Sequence, residues 1–216
     1  MSTIEELKIA IGAVAELYAK DADLVRPGAE AHHVLVTVGN MTTPLSEGNY
    51  NARIPDGSAS ELAAIQNADT IAFICEDFRQ SHKAASEFNA DVVFASAGGV
   101  VQPDEIRREA MVNLAVAMHR VNPNAKFIFA FHTELCGGAK HFTGGEGGTM
   151  HKIYTEHGVE GELKAMTEYA RTFVKAAKKA GLPKDRIELH AVHLHKGHSP
   201  EGHSHLVKKI ERIAHT

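Results

Sequence analysis

Tryptophan is absent from the 216-residue chain, and aromatic residues together make up 6% of it. A core drawn from that inventory is expected to rest on Ala, Val, Ile and Leu. Cysteine is scarce as well: Cys75 and Cys136 are the only two, too few for the disulfide framework of a small secreted domain. No apolar run approaches the roughly 20 residues of a membrane span, so no membrane location is expected. Excess positive charge is also missing. The 23 Lys and Arg stand against 27 Asp and Glu, a net charge of −4 with histidine neutral, which argues against nucleic acid as the main partner. The opening MSTIEELK is acidic where a secretory signal is basic. The expectation is a cytoplasmic protein whose thiols stay reduced and are free for packing, metal binding or catalysis.

What the chain has in quantity is histidine, 15 in all, with six between His190 and His205. Its length suits one well-buried domain over residues 1–216. Residues 4–20 carry apolar side chains at helical spacing, with acids early and Lys20 late. VLVTV at 34–38 reads as a strand, and the polar, Gly- and Pro-punctuated stretch 39–57 as a long loop. A helix is expected over 58–68, with Ser58 as N-cap and Glu61 completing a capping box. Then TIAFIC (70–75), DVVFAS (91–96) and AKFIFAFH (125–132) read as strands buried on both faces. They alternate with helical patterns at 79–89, 104–121 and 161–180. RIELHAVHLH (186–195) reads as a half-exposed strand, and HLVKKIERI (205–213) as a closing helix. Buried strands alternating with helices predict a single α/β domain with a mostly parallel central sheet flanked by helices.

In parallel sheets, ligands bind beyond the carboxyl ends of the strands. Cys75 ends one predicted strand, His132 ends another, and Cys136 follows four residues later at a glycine-rich turn. Taken singly, a strand-end cysteine is most simply a packed small hydrophobe, and a histidine after a strand a hydrogen-bonded loop residue. Taken together, two thiolates and one imidazole suit Zn2+, with a fourth position open as in catalytic sites. Asp77 and Arg79 follow at alternate positions in CEDFR. An Asp held by an Arg stays ionised, and it can orient a metal-bound water or occupy the open position itself.

CEDFR at 75–79, SAGGVV at 96–101 and HTELCGG at 132–138 together resemble the beta-class carbonic anhydrases. Those proteins carry a Cys-x-Asp-x-Arg motif, an Asn-Ala-Gly-Gly-like turn and a His-x-x-Cys-Gly motif in that order. The resemblance covers about residues 69–140 and continues more weakly into 187–202. It implies a beta-carbonic-anhydrase-like fold and zinc on Cys75, His132 and Cys136, with Asp77 and Arg79 as a catalytic dyad. It also implies a substrate pocket approached by the backbone of Ala97, Gly98, Gly99 and Gly137. The activity implied is reversible hydration of CO2 to bicarbonate by zinc-bound hydroxide. The helix at 1–20 would then embrace a partner in a homodimer or higher homo-oligomer. The chain departs from the family at three places: three residues rather than two separate His132 from Cys136, Ser96 replaces the usual Asn, and Ala95 stands where many members have Arg.

Two alternatives use the same metal ligands: a hydrolase of carbonyl sulfide or carbon disulfide, and a zinc-binding homologue without turnover. The late histidines raise a second metal site, with His193 and His195 on one strand face joined by His198, His203 and His205; the simpler reading is a solvated edge strand and turn. GGEGG at 144–148 lacks the Lys-Ser/Thr of a phosphate loop and reads as a flexible loop, flanked by His141, His151 and His157.

Overall fold

The computed structural model describes residues 1–25, 34–38, 52–53, 55–75, 87–134, 136–194 and 207–215. Helix α1 (Thr3–Val25) is followed by strands β1 (Val34–Val38) and β2 (Ala52–Arg53), then helix α2 (Ala59–Asn67) and strand β3 (Thr70–Cys75). Next come β4 (Val92–Ser96), α3 (Glu105–Val121), β5 (Lys126–His132), the short α4 (Gly137–Phe142) and the long α5 (Thr149–Lys179). A 3-10 turn at Lys184–Arg186 leads to β6 (Ile187–Leu194), and β7 (Val207–Ile213) closes the described chain.

The strands form one sheet in the order β2-β1-β4-β3-β5-β6-β7. Its centre, β4-β3-β5-β6, is parallel, while β1 and β7 add antiparallel edges. The expected α/β architecture with a parallel, helix-flanked centre is therefore present. Alternation along each strand divides the core. Phe73, Phe127, Phe129 and Phe131 face α1, α2, α3 and α5. The intervening Ala72, Ile74, Ile128 and Ala130 face a smaller cluster that includes Phe88 and Ile210. Phenylalanine corrects the expectation of an aliphatic core: among the described residues, six of eight are fully buried, concentrated on the central strands and on α5. Phe73 stacks on Phe94 at 5.7 Å and meets Phe129 edge-on at 5.5 Å, so few aromatics suffice when they are central.

Local signals account for most boundaries. Asp104 caps α3 by accepting the Arg107 amide at 2.9 Å. Ser58 is the N-cap of α2, but its side chain makes no cap bond. Glu61 turns instead to the Asp56 amide at 3.2 Å, so the expected capping box does not form. Helix α5 begins well before residue 161; Gly158, at φ +61°, joins two helical segments at a kink rather than ending the helix. Strand β6 is mostly buried rather than half-exposed, because β5 and β7 pair with both its edges.

The expected closing helix at 205–213 is instead β7. Val207, Ile210 and Ile213 satisfy helical spacing, but the open edge of β6 offers a row of unpaired backbone groups that an antiparallel strand satisfies. Tertiary pairing overrides the local period. The helix expected at 79–89 and the loop at 39–57 lie largely outside the described residues; within the latter, Ala52–Arg53 is strand β2 rather than loop, because it pairs with the open side of β1.

Candidate metal centre

Strand order reverses at β3. From β3 the chain next occupies β4 on one side, then crosses back through α3 to β5 on the other, and continues outward through α5 to β6. Helices α3 and α5 both pack on the large-cluster face, as right-handed crossovers running in one direction require. The carboxyl ends of β3 and β5 thus flank a topological switch point, the usual place for a ligand crevice.

The register shows where the two strands part. Pairing of β3 with β5 stops at Phe73 and Phe129, whereas β3 stays paired with β4 to Cys75–Ser96 and β5 with β6 to His132–Val192. The two strands part just before their last residues, and those residues are Cys75 and His132. The turn after β4 fills part of the gap. A Cβ on Gly99, whose φ is +56°, would lie 2.7 Å from the Cys75 amide nitrogen and 3.0 Å from the Ala130 carbonyl. One on Gly138 would lie 2.2 Å from the Gly98 nitrogen. Glycine is required because three backbones meet there. Ala97 is buried in the same turn. Gly137, by contrast, is the exposed first residue of α4, and a methyl group added to it would meet nothing within 4 Å.

Cys75, His132 and Cys136 converge: their ligating atoms all lie within 4.8 Å of one another, and this group can hold a metal ion. All three are buried, at 2%, 0% and 1% exposure. The two sulfurs stand 3.7 Å apart as free thiols. That is far beyond the roughly 2.05 Å of a disulfide. Two thiolates at about 2.3 Å from a tetrahedral Zn2+ are separated by about 3.8 Å, so the donor set and its spacing fit that ion. Nδ1 of His132 lies 3.0 Å from the Thr133 carbonyl. A carbonyl only accepts, so Nδ1 carries the proton and Nε2 keeps the lone pair for a metal. Without metal, the hydrogen bond with Cys136 and burial push the Cys75 thiol well up, and His132 opposes them.

The turn between His132 and Cys136 departs from ordinary backbone conformation. Glu134 adopts φ +69°, and the turn is tied to α5: the Glu134 amide donates to Glu162 Oε2 at 2.8 Å and the Cys136 amide to Glu162 Oε1 at 3.2 Å. The Tyr154 hydroxyl donates to Glu134 Oε2 at 3.2 Å. Burial, followed by the Glu134 carboxylate, raises the Tyr154 phenol, which keeps it a donor. Motif reasoning does not single out Glu162. Its signal lies in periodicity: it precedes Met166, Ala170, Phe173 and Ala177 on the buried stripe of α5, a place where a carboxylate needs a reason.

Asp77 and Arg79 lie outside the described residues, as do His195, His198, His203 and His205. His190 Nε2 is 2.9 Å from Glu188 and His193 Nε2 is 3.3 Å from Glu211; three positions apart on β6, they face opposite sides of the sheet. Among the described residues, Cys75, His132 and Cys136 form the single metal-ligating group. In the first turn of α5, His151 accepts the Gly147 amide of the glycine-rich turn at 2.9 Å and pairs with Glu146, which gives it a structural role. His157 is exposed beside Glu156, and His141 packs its ring on Phe142. No helix among the described residues is long and apolar enough to cross a membrane. No protein-family model, curated protein or solved structure matches the chain.

Proposed function

We propose that the chain is a zinc-dependent carbonic anhydrase of the beta class, hydrating CO2 reversibly to bicarbonate. The observation that carries this reading is the convergence of two thiols 3.7 Å apart and one imidazole at the switch point of a parallel sheet. Three protein ligands leave one tetrahedral position for the reaction, as catalytic rather than structural zinc sites do. When bound, Zn2+ supplies the Lewis acidity that brings the ionisation of water towards neutral pH.

The chain's own residues do the rest. His132, held through Nδ1 by the Thr133 carbonyl, presents Nε2 in a fixed orientation. Cys75 and Cys136 lend negative charge and, being buried, keep bulk water from the ligand bonds. Asp77, which the family resemblance pairs with Arg79, is the proposed acceptor that orients the reacting water, since an arginine-held carboxylate stays ionised. The family resemblance sets the backbone of the Ala97–Gly99 turn beside a substrate as small as CO2. The net reaction releases one proton with each bicarbonate, and a histidine near its ordinary pKa of about 6.5 is the natural carrier.

A homodimer or higher homo-oligomer belongs to the same proposal. It is supported by an exposed groove between α1 and α3, lined by Ile9, Ala13, Leu17, Ile106 and Ala110, in which Ile9 is 59% and Ile106 66% exposed.

Stopped-flow CO2 hydration by zinc-loaded protein tests the activity, with Cys75→Ser and His132→Ala as controls. The expected result is turnover that follows zinc content and is abolished in both variants. Background rates at stoichiometric zinc would overturn it. Under that outcome, sulfide release from carbonyl sulfide or carbon disulfide identifies a hydrolase, and its absence a zinc protein without turnover.

A further inference from the structure

The segment that carries Cys136 is set in place from outside the sheet by one carboxylate. Glu162, on α5, is 1% exposed. Its two oxygens accept the amides of Glu134 and Cys136 at 2.8 and 3.2 Å. Glu134 is left-handed at φ +69°, a conformation that a residue with a Cβ holds only when its surroundings enforce it. A buried carboxylate is costly unless it is well hydrogen-bonded, and the neighbouring positions of its helix stripe are filled by Met166, Ala170 and Phe173. Packing alone does not call for a glutamate there. The ligating group holds Cys75, His132 and Cys136 and not Glu162.

On the reading that these three residues bind a metal, we propose that Glu162 is a positioning residue of the metal centre. By fixing the amides of Glu134 and Cys136, it holds the four-residue step from His132 at the geometry that brings the second sulfur to 3.7 Å from the first. Its action runs through the backbone of Cys136, so its effect should vanish where Cys136 is no longer a ligand.

The test loads the full-length chain with Zn2+ or Co2+ in five forms: unaltered, Glu162→Ala, Glu162→Gln, Cys136→Ser, and Glu162→Ala with Cys136→Ser. Zinc affinity is read by chelator competition, and thiolate ligation by the thiolate-to-cobalt absorption. Glu162→Ala is expected to weaken zinc binding about 10–100-fold and to lower the thiolate absorption to about half, as one of two sulfurs leaves the metal. Glu162→Gln keeps one acceptor oxygen and should fall between; it also serves if the alanine variant does not fold. In the Cys136→Ser background, Glu162→Ala should cost nothing further. Full affinity and full absorption in both Glu162 variants would overturn the proposal, and so would losses that simply add in the double variant. An unaltered chain that binds neither ion refutes the metal centre itself, and the role of Glu162 with it; normal binding by the unaltered chain alongside unaffected Glu162 variants refutes Glu162 alone.

Discussion

Cys75 makes the metal-free protein sensitive to alkaline pH. Its thiol is pushed above the ordinary value of 9.0, first by the hydrogen bond with Cys136 and then by burial. The unfolded chain ionises this thiol near the ordinary value, while the folded chain does not. The resulting stabilisation is complete below that value and is lost as pH rises through the higher folded one. Melting of the metal-stripped protein should therefore move to lower temperature as pH rises past about 9. Thermal denaturation in the presence of chelator measures this, and a melting point that stays level through that range counts against it. Under the proposed zinc centre the dependence reverses, because the ion would bind the thiolates and displace their protons: its apparent affinity should climb with pH. At this scale, Cys75, His132 and Cys136 are legible as a candidate metal-ligating group because each carries the right donor atom at a strand end or just beyond one, and the structure brings them together. Glu162 is not, since a helical glutamate is ordinary until tertiary structure buries it.

The elements around the centre are spaced by glycine. Gly137 and Gly138 are adjacent in the chain, yet a methyl group on the first meets nothing within 4 Å, while on the second it meets the Gly98 nitrogen at 2.2 Å. Gly138→Ala should thus destabilise the fold by about 1–3 kcal/mol through overpacking and weaken zinc binding by pushing α4 off the turn after β4. Gly137→Ala should stay within about 0.5 kcal/mol of the unaltered protein. Urea denaturation of the two variants side by side decides it; equal stability would show that the turn yields without cost. The sequence marked these glycines as a motif but could not rank them, since rank depends on which backbone lies opposite. The same limit explains β7. Its apolar residues read equally well as one face of a helix, and only the unpaired edge of β6 selects the strand.

For the molecule as a whole, the groove between α1 and α3 leaves Ile9 and Ile106 open. If a second copy covers it, Ile9→Glu together with Ile106→Glu should convert the oligomer to monomer in sedimentation while leaving the thermal unfolding of the fold near its original midpoint. An unchanged sedimentation coefficient would place any interface elsewhere. The sheet itself was foreseeable in its centre, because continuous apolar strands separated by helices admit only parallel crossovers. Local chemistry also determined which residues carry sulfur and imidazole, and that β3 and β5 end on them. Strand order was decided only in three dimensions: placing β3 beside β5 makes neighbours of Cys75 and His132, which are far apart along the chain. Parting of those strands beyond Phe73 and Phe129, and anchoring of the Cys136 turn by Glu162, were likewise tertiary outcomes. Both depend on contacts between segments distant in sequence, where the packing of one backbone against another sets the distance between donor atoms.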